Sequence, residues 1–152
     1  YALPLVKTPL VCVLNDSMIL QFDVSDVSAL IRQRVNPYLD EIVALYLCSK
    51  AVGDNDYRMP IVTRRFIELV GYLYMPLFTI PRTCELWLGH IFDMLGRALD
   101  IQGVTIKDNV EFPSQIHYNA SVSQEHHLLY KSTAHVRKET ALFLSQYMIK
   151  ER

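Results

Sequence analysis

The chain has 152 residues, of which 51% are hydrophobic and 20% charged, and its formal net charge is −1. This length predicts one domain with a sizeable core, and the near-zero charge excludes a general electrostatic attraction to nucleic acid or anionic lipid. The three cysteines lie too far apart in the sequence for a zinc knuckle or a redox Cys-x-x-C pair.

The N-terminal part predicts an extended arm followed by a β-hairpin. Residues 1–9 contain two prolines and have no helical pattern. Residues 10–14 and 18–24 are short apolar runs, separated by the turn-forming triplet Asn15-Asp16-Ser17. We therefore expect these two runs to pair with each other.

Two helices are predicted between residues 25 and 53. The first has Ser25 as its cap, and its apolar residues recur at the three- and four-residue spacing of one helical face. These residues are Val27, Leu30, Ile31 and Val35. Asn36 and Pro37 predict the start of the second helix, because asparagine is a favoured N-cap and proline suits the first helical position. Gly53 is expected to end it.

A pair of helices is predicted across residues 61–102, joined by a segment that contains Pro76 and Pro81. We expect Thr83 to cap the second helix and Gly103 to follow its end. The apolar stripe of the first is Val62, Phe66, Leu69, Val70 and Leu73, and that of the second is Leu88, Ile91, Phe92, Leu95 and Leu99. The longest stretch without a formal charge, residues 69–81, is 13 residues long. Because a bilayer-spanning helix needs about 20 apolar residues, we expect no transmembrane segment.

The remaining residues complete an α+β fold that is predominantly helical. Residues 53–60 predict a loop, and β-branched residues within 104–112 predict a short strand or hairpin. Residues 123–152 predict one long helix or two consecutive helices, capped by Ser121 or Ser123 and reaching toward a partner. We expect a single domain over residues 1–152, with an N-terminal hairpin and about five to six helices.

No motif for catalysis, a metal or a cofactor emerges from the sequence. The histidines at positions 117, 126, 127 and 135 have Glu125 and Glu139 nearby, but their spacing matches no zinc motif. The five glycines flank no serine as a nucleophile elbow requires, and they form no phosphate-binding loop. We therefore expect a protein that is not an enzyme and that has neither a cofactor nor a metal site.

Charge is distributed in neighbouring blocks of opposite sign. Residues 57–82 carry a net charge of +3, and residues 83–112 carry −3. Such blocks suit either an intramolecular pair of helices or head-to-tail contacts between copies of the chain. Arginines and one tyrosine in and near the positive block could contact phosphates and stack on a base. The predicted nucleic-acid-binding residues are Arg58, Arg64, Arg65, Arg32, Arg34 and Tyr57.

Two functional hypotheses follow. The first is a structural or assembly subunit of the viral coat, nucleocapsid or matrix type. It would form a homo-oligomer or join a larger protein complex in the cytoplasm or virion, self-associate through apolar helices, and hold RNA in an arginine-lined groove. The second is a small enzyme or ligand-binding domain, with a pocket between the central helices and the hairpin and with polar groups from the histidine-rich segment.

Overall fold

The computed structural model describes residues 8–13, 18–22, 26–47, 59–78, 80–101, 104–108 and 120–149. These residues form five helices and six strands, and about half of them are helical. In chain order the elements are β1 (Leu10–Cys12), β2 (Met18–Phe22), α1 (Val27–Val35), β3 (Ala44–Tyr46), β4 (Pro60–Thr63), α2 (Arg64–Val70), α3 (Pro81–Met94), β5 (Ala98–Asp100), β6 (Val104–Asp108), α4 (Ala120–Ser132) and α5 (Ala134–Ser145). The predicted α+β class is confirmed.

Four strands form a mixed sheet in the order β1-β4-β3-β5. Strand β4 runs antiparallel to both of its neighbours, and β3 runs parallel to β5. The register places Val11, Val62, Ala44 and Ala98 in one row across the sheet. All four side chains belong to the same apolar cluster, so this row defines one buried face.

The sheet has a second apolar cluster on its other face. Along β3, Ala44 and Tyr46 belong to the first cluster, whereas Leu45 and its successor Leu47 belong to the second. This alternation follows from the two-residue repeat of a strand. Helices α2, α3 and α5 contribute to the first cluster, and α1 packs against the second. The sheet therefore lies between two layers of helix.

Helix α1 begins one residue later than predicted. Its N-cap is Asp26 rather than Ser25, and the Asp26 carboxylate accepts a hydrogen bond of 2.8 Å from the backbone N–H of Ala29. A carboxylate at this position also suits the positive end of the helix dipole. The predicted contact face is confirmed, because Leu30, Ile31 and Val35 pack against the second cluster.

The helix predicted to begin at Asn36 is wrong. Residues 42–47 are all buried, and Ala44–Tyr46 form the strand β3 at the interior of the sheet. A short run of consecutive apolar residues fits a fully buried strand as well as a buried helix, so periodicity could not separate the two. Glu41 enters the strand with a positive φ of 56°, which is incompatible with a continuing helix.

The predicted N-terminal hairpin is not confirmed. Strand β1 pairs with β4, and β2 pairs with β6 in a separate two-stranded antiparallel sheet. Both predicted strands exist, but each has a distant partner. Because the second run carries apolar residues on both of its faces, its pattern alone fixed neither a partner nor a register. The strand expected within residues 104–112 is confirmed as β6, the partner of β2.

The two central helices are shorter than predicted. The chain from Pro60 to Thr63 belongs to β4, so α2 begins only at Arg64. It ends at Val70, and the residue after it, Gly71, has a φ of +86°. Helix α3 has Pro81 in its first turn rather than a cap at Thr83, and it ends at Met94. The predicted stripe is correct for Leu88, Ile91 and Phe92, which are fully buried, whereas Leu99 lies in β5. Gly103 lies outside the described residues.

The C-terminal segment forms two consecutive helices, one of the two predicted arrangements. Helix α4 begins at Ala120, so neither Ser121 nor Ser123 is its cap. The break falls at Thr133, which is buried and whose hydroxyl donates to the carbonyl of Leu129 at 2.9 Å. The same carbonyl also accepts from the backbone N–H of Thr133 at 3.0 Å, so both polar groups of Thr133 bond to the last turn of α4.

Candidate functional site

The structure describes four of the six predicted nucleic-acid-binding residues. Tyr57 and Arg58 lie outside the described residues. Arg64 and Arg65 open α2, and both side chains are exposed. Arg64 Nε lies 2.8 Å from Glu68 Oε1 one turn further along the helix, so the positive charge of Arg64 is partly neutralised.

Arg32 and Arg34 lie on a different layer of the molecule. They occupy the last turn of α1 and are exposed. Leu30 of α1 packs with the second cluster, while Phe66 of α2 is a member of the first. The two arginine pairs are thus carried by helices that cover opposite faces of the sheet, and their binding of nucleic acid stays a prediction.

Large apolar side chains remain exposed around the end of α5 and the approach to β3. We call them the C-terminal apolar surface: Leu39, Leu142, Phe143, Tyr147 and Ile149. The Phe143 and Tyr147 rings meet edge to face, with 5.1 Å between centroids. The backbone N–H of Ile149 donates to Asp40 Oδ2 at 2.9 Å, which brings the chain after α5 against the residue next to Leu39. The hydrogen bond thus brings Ile149 near Leu39, while the ring contact joins Phe143 to Tyr147.

Helix α5 carries apolar side chains on its exposed side as well as on its buried side. Ala141 and Leu144 face the first cluster and are 6% and 0% exposed. On its other side, Leu142 is 66% exposed and Phe143 39% exposed. A helix at the surface of a domain usually has a polar outer side, so the exposed side of α5 is available for a partner.

A polar cluster lies where α3, α4 and α5 meet, formed by His90, Tyr130 and Arg137. His90 Nδ1 and the Tyr130 hydroxyl share a hydrogen bond. Arg137 lies over the Tyr130 ring, with 3.9 Å from Cζ to the centroid, and its Nη1 donates to the Tyr130 carbonyl at 2.7 Å. Tyr130 thus contacts an imidazole at its hydroxyl and a guanidinium at its ring face.

Burial and the positive charge of Arg137 set the protonation of this polar cluster. Burial, and secondly the charge of Arg137, lower the pKa of His90. Burial raises the pKa of Tyr130, and Arg137 opposes that effect. Burial also lowers the pKa of Arg137, with Tyr130 opposing, although an arginine remains charged at neutral pH.

Two further aromatic side chains border the polar cluster. The Phe78 ring lies 6.5 Å from that of Tyr130 and 6.2 Å from that of His126. His126 is buried, whereas His127 and His135 are exposed to solvent. Nowhere in the described ranges do three histidine, cysteine or acidic side chains gather to hold a metal ion.

A buried ion pair joins the residue that precedes β5 to the segment that leads into β3. Arg97 Nη2 lies 3.2 Å from Asp40 Oδ2, and the two side chains are 8% and 2% exposed. The Asp40 carboxylate also accepts hydrogen bonds of 2.9 Å from the backbone N–H groups of Ile42 and Ile149. Arg97 stacks on Tyr38, with 4.3 Å from Cζ to the ring centroid. These contacts give the pair a structural role.

In the described part of the chain, every helix is too short or too polar to cross a bilayer, so none is a candidate membrane span.

Comparison of the chain with protein-family models, with curated proteins and with solved structures finds no match.

Neither the polar cluster nor the buried ion pair was found from the sequence. Asp40 and Arg97 are 57 residues apart, and His90 and Tyr130 are 40 residues apart, so no local spacing connects them. One local signal existed. The segment from Lys131 to His135 is nearly polar all round, and the break between α4 and α5 falls within it.

Proposed function

We propose that the chain is a non-enzymatic assembly subunit that self-associates through the C-terminal apolar surface. The observation that carries this proposal is that the C-terminal half of α5 exposes Leu142 and Phe143 in addition to the apolar side chains that it buries. Removing exposed apolar side chains from water stabilises an association by about 25 cal/mol per Å². A viral coat, nucleocapsid or matrix protein, working in the cytoplasm or virion, would use such a surface.

The proposed partner is a second copy of the same chain. Lys138 and Glu139 lie one helical turn before Leu142 and Phe143, and both are exposed. Their opposite charges leave this edge of the surface neutral, so two copies can meet about a two-fold axis without like-charge repulsion. The net charge of −1 adds little repulsion between whole chains.

The substitution Leu142→Glu tests the proposal. In a two-fold contact each copy contributes Leu142, so the change acts twice. Leu142 is 66% exposed in the single chain, so a dimer would bury this side chain from both copies and gain free energy of association twice. We therefore expect Leu142→Glu to weaken dimerisation roughly a hundredfold. Size-exclusion chromatography with light scattering across a concentration series measures the effect.

Leu128→Glu is the matched control, because Leu128 is a helical leucine of similar exposure, 59%, outside the C-terminal apolar surface. It should leave the oligomer unchanged. A wild-type chain that stays monomeric at high concentration would refute the proposal. Equal weakening by both substitutions would show that another surface mediates association.

We further propose that such an assembly binds RNA. This proposal rests on one pair of side chains. Arg64 and Arg65 are exposed side by side at the start of α2, where phosphate groups could approach both. Changing both to glutamate should abolish the excess 260 nm absorbance of the purified particle at low salt while the helical circular dichroism persists. Changing Arg32 and Arg34 in the same way tests the opposite layer separately. Unchanged RNA content after the Arg64 and Arg65 changes would exclude this groove.

A further inference from the structure

The polar cluster contains a buried cation that has no acidic partner. Arg137 is 8% exposed, and among the described residues no carboxylate pairs with it. Arg97, the other buried arginine, is paired with Asp40 at 3.2 Å. Burying a charge costs free energy unless the charge is paired. An arginine with a purely structural role would therefore be expected to have an acidic partner, as Arg97 has and Arg137 does not.

The end of α4 supplies only part of the compensation. The Tyr130 carbonyl, which accepts from Arg137 Nη1, lies in the last turn of α4, where the helix dipole is negative. A guanidinium has five N–H donors in a planar fork, and this is the one hydrogen bond that the Arg137 side chain makes within the described structure. The remaining donors suit an anion.

We propose that His90, Tyr130 and Arg137 bind a phosphate group. The three side chains come from three helices and contain an imidazole, a phenol hydroxyl and a guanidinium. In this site the Tyr130 hydroxyl and the Arg137 guanidinium would contact the anion, and His90 would orient the hydroxyl. A tetrahedral oxyanion accepts hydrogen bonds from several directions, whereas a carboxylate presents only two oxygens in one plane. This site is separate from the C-terminal apolar surface and requires no self-association.

Protonation of His90 is coupled to binding. A protonated imidazole donates to the Tyr130 oxygen, and the Tyr130 O–H is then directed to the anion. The titratable or charged side chains described at the cluster are His90 from α3, Tyr130 and His126 from α4, and Arg137 from α5. A bound anion opposes the Arg137 charge that disfavours protonated His90, so binding should raise the His90 pKa.

The test is a titration of the full chain with inorganic phosphate and with sulfate at constant ionic strength. Calorimetry and the imidazole NMR signals of His90 monitor the binding. We expect saturable binding. Tyr130→Phe keeps the ring under Arg137 and removes only the hydroxyl, so it should weaken affinity roughly tenfold. Arg137→Gln should weaken it roughly a hundredfold. Lys138→Gln removes an exposed cation from the adjacent position of α5 and should have no effect.

Sulfate reports on His90 alone, because the charge of sulfate, unlike that of phosphate, stays constant over the pH range in which His90 titrates. Affinity for sulfate should rise as the pH falls through the pKa of His90, and His90→Gln should remove that dependence. Adenosine monophosphate distinguishes the source of the phosphate: tighter binding than inorganic phosphate indicates a nucleotide, and equal or weaker binding indicates the free ion.

Three results would overturn the site: no saturable binding of any of the anions, equal affinity in Arg137→Gln and Lys138→Gln, or full affinity in Tyr130→Phe. If Arg137→Gln does not fold, Tyr130→Phe and the His90 pH dependence decide the question. Leu142→Glu should bind phosphate normally, so failure of the assembly proposal would be distinguishable from failure of this one.

Discussion

The buried ion pair between Asp40 and Arg97 allows a sharp stability experiment. Asp40→Asn preserves the shape of the side chain but removes its charge. The Arg97 guanidinium, 8% exposed, would then be left without a carboxylate. Arg97 Nη1 already lacks a hydrogen-bond partner among the described residues, so the stack on Tyr38 would be the main remaining compensation for the charge. We expect a loss of stability far larger than the loss caused by breaking an exposed ion pair.

The magnitude follows from the burial of both partners. Removing one partner of a buried ion pair costs about 3–5 kcal/mol, because the other charge stays buried and uncompensated. Small domains have unfolding free energies of about 5–15 kcal/mol, so this substitution should consume much of the stability of the chain. By contrast, the Arg64–Glu68 pair is 47% exposed at both side chains, and breaking it should cost less than about 0.5 kcal/mol.

Urea unfolding, followed by the fluorescence of Trp87, measures these costs. Trp87 is the single tryptophan and is fully buried in the first cluster, so its emission reports on the core. Glu68→Gln is the matched control, since it removes a carboxylate from the exposed pair. The slope of unfolding free energy with urea should stay constant, so that a shift in midpoint reports stability.

The decisive outcome is whether a second substitution, Arg97→Met, lowers or raises the stability of each chain. Arg97→Met should destabilise the wild-type chain, because it leaves the Asp40 carboxylate buried and unpaired. In the Asp40→Asn chain the same change should stabilise, because it removes the uncompensated charge. Equal small losses for Asp40→Asn and Glu68→Gln, or additive effects of Asp40→Asn and Arg97→Met, would refute this account of the pair.

Two further predictions concern a thiol and a glycine. Burial, and secondly the negative charge of Glu85, raise the pKa of the Cys84 thiol to about 11, so at pH 8 about one thiol in a thousand is the reactive thiolate. Alkylation at pH 8 should therefore modify exposed Cys12 first and Cys84 only after unfolding, which peptide mass spectrometry would show; equal rates would contradict this. At Gly71, whose φ is +86°, an added Cβ meets no atom within 4 Å, so Gly71→Ala should cost about 1 kcal/mol from backbone strain alone. Gly71→Asn, measured by thermal unfolding beside it, should cost less, and a cost from Asn equal to that from Ala would contradict the strain explanation.

Helical segments with a strong three-to-four-residue repeat were predictable from sequence. The contact face of α1 and the buried positions Leu88, Ile91 and Phe92 of α3 follow directly from that repeat. Their boundaries were less predictable, because they depend on neighbouring strands. Helix α2 begins at Arg64 because the preceding residues pair on both sides, with β1 and with β3.

Strand β3 shows why local pattern fails for fully buried segments. All of residues 42–47 are apolar, so the sequence contains no polar face from which a period of two or of 3.6 residues could be recognised. The alternation of Ala44 and Tyr46 with Leu45 and Leu47 becomes visible only when the two clusters are known.

The candidate arginine site was predicted only as a set of residues. The side chains of Arg64, Arg65, Arg32 and Arg34 are all exposed, as is usual for arginine. Which of them share a surface depends on the layer that each helix covers, and sequence spacing does not encode that. The exposed side of α5 was partly visible, since Phe143 and Tyr147 lie beside the buried stripe of Ala141 and Leu144.

The sequence by itself determined the α+β class, most of the helices and their buried faces, because these depend on interactions within a few residues. Tertiary structure alone decided the partners of β1 and β2, the strand at the interior of the sheet, and the contacts of Asp40 with Arg97 and of Tyr130 with Arg137. Strand pairing and buried charge compensation join residues that are distant along the chain. Their energies depend on which groups the folded chain removes from water together, and no local pattern specifies that.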